Sequence, residues 1–287
     1  MSRSRNTKGA GGGCEVAVII VAYGSGDALD RALRAVEKQS VGRGAIELCV
    51  VHCGGAESAR ATWEQRVDHW VEPGSNVGAS GGRNLGAAAT SAPLLVFLDD
   101  DGVAAPEFVA AMGDMMGSDG SIVAVRGRVQ SLRHPFWTSM ARHYNRGAEV
   151  CDDWLIVEGA ACVRRTAFEG VGGFDETLFG YEGLELSTRL LASSDQARIL
   201  YNPKAALEHD FMEGWGSAFR KARRMVEAEG RVSENRNPRF ESALAEYRQT
   251  RFPDGRSSLQ WVMSLVGVAI FRSLRSWFRW RLKFSKG

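Results

Sequence analysis

Residues Leu94 to Gly102 read Leu-Leu-Val-Phe-Leu-Asp-Asp-Asp-Gly, so five apolar residues run directly into three carboxylates and a glycine. A short apolar run bounded by Pro93 and Gly102 is typical of a strand buried on both faces of a parallel sheet. The carboxylates then lie at the C-terminal end of that strand, where open α/β sheets bind ligands. Three like charges repel one another unless a cation neutralises them, and Mg²⁺ and Mn²⁺ prefer oxygen ligands. The alternative is an acidic turn after a strand.

The segments before this strand alternate between apolar runs and helical patterns. Strands are predicted at Val16–Tyr23, Ile46–Val51 and His69–Val71, and helices after Asp27 and from about Ser58 to Val67. This β-α-β-α-β order implies a parallel sheet with right-handed crossovers. The glycine-rich segment from Asn76 to Gly86 then permits close approach of the backbone to a ligand, and Arg83 can hold a phosphate.

The segments after Gly102 predict a continuing sheet. The patterns indicate one helix over Pro106–Met116 and another that opens within Phe179–Leu190 and runs to about Ala192. Strands are indicated over Ile122–Val129, Trp154–Val163, Ile199–Tyr201 and Ala205–His209. The region from His134 to Val150 is rich in aromatic and basic residues. That composition suits a loop that faces an acceptor, and it suits a plain surface excursion equally well.

Composition and charge restrict the function classes. The 287 residues are those of an ordinary soluble globular protein. Five scattered cysteines without a Cys-x-x-Cys pair suggest a reducing compartment, so we expect a cytoplasmic protein. Residues 1–13 are predicted to be a disordered tail rather than a signal peptide, and no stretch is apolar enough for a transmembrane helix. The net charge of +2 conceals a basic C-terminus after a mildly acidic body, so we expect no nucleic acid partner.

Taken in order, these segments resemble the family 2 glycosyltransferases, which have the GT-A fold. The matching residues are Ala22-Tyr23, Asn76-x-Gly78, Arg83-Asn84-x-Gly86, Leu98 to Asp101, Gly172 to Glu176, Glu182-x-x-Glu185-Leu186-x-x-Arg189 and His209. His209 makes the rhamnosyl- and galactofuranosyl-transferase-like members the most similar. The resemblance implies a mixed, mainly parallel sheet flanked by helices, with a GT-A catalytic domain over residues 14–212. Within it, 14–110 is the nucleotide-binding half and 111–212 the acceptor half, and a helical C-terminal region follows over 213–287.

The resemblance also implies a reaction and a set of site residues. A sugar would pass with inversion from a nucleotide-diphosphate donor to the hydroxyl of a glycan, lipid-linked or small-molecule acceptor. Mn²⁺ or Mg²⁺ would be held by Asp99, Asp101 and His209, although His209 can also be an ordinary strand-end histidine. The residues that the resemblance assigns to the nucleotide sugar are Ala22, Tyr23, His52, Asn76, Gly78, Arg83, Asp99 and Asp100.

Two positions depart from the family pattern. The aspartate that usually ends the second strand is replaced by His52-Cys53, so His52 either hydrogen-bonds the base or only ends the strand. The acidic pair that supplies the catalytic base reads Glu182-Gly183, and the second acid is missing. Glu182 or Glu185 must then serve. Glu185 lies four residues before Arg189, which favours a structural pair, so Glu182 is the preferred base, although it can also merely stabilise the helix start.

The C-terminus has an amphipathic pattern. Apolar residues Phe271, Leu274, Phe278 and Leu282 form one helical stripe beside Arg272, Arg275, Arg279 and Lys283, with Trp261, Trp277 and Trp280 nearby. Such a helix can lie on an anionic membrane surface, here the inner face of the cell membrane. The alternative is a helix that packs on the catalytic domain. Two other functions remain open: a nucleotidyltransferase of similar fold, and a catalytically degenerate protein that docks at membranes.

Overall fold

The computed structural model describes residues 15–24, 26–54, 60–234, 238–249 and 258–284. The predicted tail over residues 1–13, the predicted helix start at Ser58 and the side chains of Trp261, Leu282 and Lys283 lie outside the described part.

The first half is a parallel βα unit, as its alternating pattern predicts. Its elements are β1 (Val16–Ala22), α1 (Gly26–Glu37), β2 (Ile46–His52), α2 (Arg60–Glu64), β3 (His69–Val71), α3 (Gly78–Ala89) and β4 (Leu94–Asp99). The four strands lie in the order β3-β2-β1-β4 and are parallel, with Ile20 opposite Val50 on one side and Leu98 on the other. Their carboxyl ends therefore meet at one edge, where β4 delivers the three aspartates.

The second half extends the same sheet with mixed strand directions. Its elements are β5 (Val103–Ala104), α4 (Phe108–Ser118), β6 (Ile122–Gln130), α5 (Pro135–Thr138), β7 (Cys151–Asp152), β8 (Ala160–Arg164), α6 (Arg165–Gly170), α7 (Glu182–Ala192) and β9 (Arg198–Glu208). The order continues β4-β8-β6-β9-β5, and β7 also pairs with β9. β8 runs antiparallel to both of its neighbours, while β6 and β9 are parallel.

Two strand predictions in this half were wrong. The strand predicted over Trp154–Val163 begins only at Ala160, because the preceding segment crosses α7, where the Leu155 N–H donates to Ser187 Oγ (2.8 Å) rather than to a sheet neighbour. The two short strands predicted over residues 199–209 are the single strand β9. A register shift opposite Gly127 and Arg128 accommodates Pro203 within it.

The core lies on both faces of the sheet. Alternate residues of the central strands point to opposite sides, so Val18 and Ile20 pack against α1 and α4, whereas Ile19 belongs to the layer that holds α3, α6 and α7. Burial on both faces explains why these strands are continuous apolar runs.

Three C-terminal helices complete the structure: α8 (Trp215–Glu234), α9 (Pro238–Gln249) and α10 (Ser258–Phe284). α10 packs against α8 and α5, and α9 packs against α7. Phe271 and Phe278 of the predicted stripe are buried in the same core as the sheet, which is the packing expected of a helix docked on the catalytic domain. Among the described residues, none of the helices combines the length and apolar character that a bilayer crossing requires.

Candidate active site

A cavity of about 1010 Å³ opens at the edge where β1 and β4 end. Its walls come from α3, the segment before β8, the start of α7, the end of β9 and α8. Of the residues that the sequence analysis assigns to the nucleotide sugar or the metal, those that line it are Ala22, Tyr23, Asn76, Gly78, Arg83, Asp99, Asp100, Asp101 and His209.

Three of these residues can hold a metal ion. β4 ends at Asp99, and β5 then pairs with the end of β9 through Val103 and Glu208, which brings His209 beside the aspartates. One ligand atom from each of Asp99, Asp101 and His209 lies within 4.8 Å of the others. Two carboxylates and an imidazole are a donor set that suits a divalent cation.

His209 and Asp101 shift each other's pKa. Nε2 of His209 lies 3.1 Å from Oδ1 of Asp101. Burial alone acts to raise the pKa of Asp101 and to lower that of His209, but the contact between them outweighs it. The pKa of Asp101 is therefore lowered and that of His209 is raised.

Arg83 and Tyr23 fix the other two aspartates. Arg83 is buried on α3, and its Nη2 donates to Oδ1 of Asp99 (2.8 Å). The backbone N–H of Tyr23 donates to Oδ2 of Asp100 (3.1 Å). Burial, together with the charge of Asp101, raises the pKa of Asp100 to about 7. The end of β4 therefore carries three carboxylates, each with a different partner.

His52 does not line the cavity formed by the described residues. Its ring is buried and stacks on Trp70, with 5.3 Å between ring centroids, and burial lowers its pKa. Its buried Nε2 makes no hydrogen bond within the described residues.

The two candidate bases have different surroundings. Glu185 makes a two-point ion pair with Arg189 (2.7 and 2.6 Å) and does not line the cavity formed by the described residues. Glu182, the first residue of α7, does line it. The residue before it, Tyr181, has φ of 65°, in the left-handed region, where a non-glycine residue is uncommon. The chain therefore turns sharply as it enters α7 at the cavity wall.

Among the cavity residues that the sequence analysis missed, three carry polar groups that bear on the site. Glu158 lines the cavity beside the start of α7. Lys221 of α8 has its ammonium 3.6 Å from the centre of the Phe211 ring, and burial lowers its pKa to about 7. The Tyr144 hydroxyl lies 3.0 Å from Nδ1 of His209, on the side of the ring away from Asp101.

Only one of the three left a signal in the sequence. Glu158 interrupts an apolar run, which a strand buried on both faces does not tolerate. Lys221 reads as a surface lysine of a basic helix, and Tyr144 lies in the region between β6 and β7 that had no periodic pattern.

Comparison with known proteins identifies the family of the chain and its fold. The family model described as Glycosyl transferase family 2 matches residues 17–171, just over half of the chain. Proteins named pre-mycofactocin glycosyltransferase, from two strains of Mycobacterium tuberculosis, are 32% identical over 146 residues. The match covers 46% of this chain and 30% of the relatives, so the chain matches less than a third of their length.

Solved structures have the same fold at low sequence identity. A mannosyltransferase from Pyrobaculum calidifontis, in complex with GDP-Man and Mn²⁺, is similar with a TM-score of 0.61 and 16% identity, over 92% of this chain and 84% of that one. A fragment of S. aureus TarS in complex with UDP-GlcNAc is similar with a TM-score of 0.57 and 15% identity, over 91% and 81%. The expected GT-A fold is confirmed.

Proposed function

Because this chain belongs to glycosyl transferase family 2, we propose that it transfers a sugar, with inversion and with the help of Mn²⁺ or Mg²⁺, from a nucleotide-diphosphate donor to an acceptor hydroxyl. The observation that carries this proposal is the convergence of Asp99, Asp101 and His209 in the cavity at the end of β4. The two structural neighbours described above hold GDP-Man with Mn²⁺ and UDP-GlcNAc, which supports a nucleotide sugar as the donor.

The residues present fit a divalent cation. The side chains of Asp99 and Asp101 are 40% and 52% exposed, so they can meet a ligand that enters the cavity. His209 is oriented by Tyr144 through Nδ1, which leaves Nε2 directed at the aspartates. A cation bound here supplies positive charge beside the diphosphate that leaves the sugar.

The chain's own residues bind and orient the donor. Arg83 holds Asp99 in place through its Nη2 and lines the cavity, so its guanidinium lies beside the space that a phosphate would enter. Tyr23, Asn76 and Gly78 line the wall formed by the nucleotide-binding half. The side chain of Asn76 accepts the Gly78 N–H (2.9 Å), which shapes the loop into α3.

The reaction also needs a group that takes the proton of the acceptor hydroxyl. Glu182 lines the cavity at the start of α7 and remains the candidate that the sequence favours. Glu185 is engaged by Arg189, which suits a structural role.

The outer face of α10 supports a further proposal about location. Several of its apolar side chains are exposed, namely Val262, Leu265, Val266, Trp277 and Trp280, and Arg272, Arg279 and Arg281 are exposed on the same helix. We propose that this face docks the protein, from the cytoplasm, on an anionic membrane surface, where a lipid-linked acceptor would be in reach.

The donor proposal is tested by thermal unfolding of the full chain with UDP-GlcNAc, GDP-mannose and other nucleotide sugars, each with and without Mn²⁺ or Mg²⁺. A ligand that binds only the folded state raises the midpoint, and we expect this rise only when donor and cation are both present. Asp101→Asn should abolish it. The anomeric configuration of the product, read by NMR, then tests inversion. If no nucleotide sugar binds with either cation, the proposal is wrong.

A further inference from the structure

Gly183 has no room for a side chain, and Glu158 occupies the space where one would extend. A Cβ atom at Gly183 would overlap the carbonyl oxygen of Leu155 and would lie 2.7 Å from both Cγ and Oε1 of Glu158. Oε1 of Glu158 accepts a hydrogen bond from the Gly183 N–H (2.7 Å). The carboxylate of Glu158 is therefore held at the N-terminal end of α7, where the helix dipole favours negative charge.

A second glycine brings Glu158 to the metal-ligand candidates. A Cβ atom at Gly159 would overlap the carboxyl group of Asp99. The chain can therefore enter β8 in contact with the end of β4 only because residue 159 is glycine. As a result, the residue before it lies between the end of β4 and the start of α7, and its side chain lines the cavity.

We infer that the carboxylate of Glu158, rather than that of Glu182, takes the proton from the acceptor hydroxyl; this inference rests on the proposed sugar transfer. The resemblance to family 2 places the base at the position of Gly183, and Glu158 brings a carboxylate to that place from another segment. In the step, the acceptor O–H bond breaks and its proton passes to Glu158. The acceptor oxygen bonds to the anomeric carbon, and the bond from that carbon to the diphosphate breaks, so the electron pair leaves on the phosphate oxygen.

The electrostatic surroundings agree with this role. Burial and the nearby charge of Glu182 raise the pKa of Glu158 to about 6, against the opposing effect of Arg83. Such a carboxylate is ionised at neutral pH yet is a stronger base than an ordinary glutamate. In this assignment Glu182 acts through its charge, which makes the carboxylate of Glu158 more basic.

The test compares Glu158→Gln, Glu182→Gln and, as the matched control, Glu169→Gln, an exposed glutamate on α6. Glutamine at 158 can still accept the Gly183 N–H, so it keeps the cap on α7 but cannot take a proton. Donor affinity is measured by calorimetry with Mn²⁺, using UDP-GlcNAc and GDP-mannose. Nucleotide release to water is measured with whichever donor wild type turns over faster, and the melting midpoint of each variant reports folding.

We expect Glu158→Gln to bind the donor within about threefold of wild type and to release nucleotide at least about 100-fold more slowly. Glu182→Gln should lose much less, and Glu169→Gln nothing. In Glu158→Ala, formate should restore part of the lost rate, because a small carboxylate can enter the vacated space. This rescue keeps the test decisive if the glutamine variant is poorly folded.

Three results would overturn the assignment: near-normal release by Glu158→Gln, a larger loss in Glu182→Gln with donor binding intact, or no formate rescue in a folded Glu158→Ala protein. Failure of the proposed function looks different. Wild type would then bind neither UDP-GlcNAc nor GDP-mannose in the presence of Mn²⁺, and Glu158 would have no reaction to serve.

Discussion

Nε2 of His209 lies 3.1 Å from Oδ1 of Asp101, although Asp101 follows β4, in the first half of the sheet's sequence, and His209 follows β9, its last strand. The short pairing of β5 with the end of β9 makes this contact, because it folds the chain after Asp101 back beside His209. A site with ligands from both halves can form only when the whole sheet has folded.

His209→Ala should weaken Mn²⁺ binding by at least about tenfold, since even the loss of an outer partner of a ligand costs that much. The effect should depend on pH. The pKa of His209 is raised above its ordinary value of 6.5, so protons compete with the cation for Nε2. Wild-type affinity should therefore rise between pH 6 and pH 8, and the variant should lose the part of this slope that His209 contributes. Calorimetric Mn²⁺ titrations at both pH values check this, and equal affinities in the two proteins would remove His209 from the site.

Tyr144→Phe should weaken Mn²⁺ binding by about tenfold, because Nδ1 of His209 loses the hydroxyl that orients its ring. The matched control is Tyr201→Phe, which removes another buried hydroxyl, one that donates to the carbonyl of Gly147 (3.0 Å). Each change should reduce the free energy of unfolding by about 1 kcal/mol. Only Tyr144→Phe should change the titration with Mn²⁺; a similar loss in both variants would indicate a general packing defect.

Gly183→Ala should destabilise the protein by roughly 3 kcal/mol or more, because the new methyl group would meet both a backbone carbonyl and Glu158. Gly113→Ala is the control. Gly113 lies inside α4, and among the described residues no group beyond its own helix backbone comes within 4 Å of the place its new methyl group would take, so this change should stabilise the protein by roughly 1 kcal/mol through helix propensity. Urea denaturation measures both. A neutral effect of Gly183→Ala would show that the segment before β8 can move away from α7.

Glu158→Gln should be more stable than wild type at pH 8. The pKa of Glu158 is raised from 4.5 to about 6 in the folded protein, so the folded state holds the proton more tightly than the unfolded chain does. This contribution to stability is complete below pH 4.5 and is lost as the pH rises through 6. Glutamine never carries the buried charge, so its advantage of at most roughly 2 kcal/mol should appear at pH 8 and vanish near pH 4. Urea unfolding at the two pH values measures the difference; an advantage independent of pH would have another cause.

Replacing Trp280 and Val266 together by serine should reduce flotation of the protein with vesicles that contain anionic lipid, because both side chains are exposed on α10. Val41→Ser changes an exposed apolar residue elsewhere and should leave flotation unchanged. Equal flotation of all three proteins, or none by wild type, would contradict the docking proposal.

The parts of the candidate site that the sequence predicted are those whose residues lie close together in the chain. The three aspartates are consecutive, and the apolar run before them indicates a buried strand, so their placement at the sheet edge follows from residues 94–102 alone. Arg83 and the glycines around it are close in sequence to that strand. His209 was assigned through the resemblance, since one histidine after a short strand carries little information by itself.

The parts that were missed depend on contacts between distant segments. The side chain of Glu158 fits against α7 only because Gly183 has no side chain. Neither residue, taken alone in the sequence, indicates that the two are in contact. The helical pattern predicts that Lys221 is a surface lysine. It does not reveal that Lys221 packs on Phe211 and lines the cavity. The strand predicted across Trp154–Val163 hid the same relationship, because a regular strand there would have placed Glu158 on the sheet face of Ala160 and Cys162, which is opposite to the face that α7 covers.

One wall of the cavity is built by α8, including Arg220, Lys221 and Arg224, and this helix lies beyond residues 17–171 that match the family. The three aspartates at the end of β4 belong to the matched part of the chain. Substitutions along a single face of α8 can therefore reshape the cavity while Asp99 and Asp101 stay as they are. In evolution or in the laboratory, the size and charge of this wall can therefore change separately from the aspartates at the end of β4.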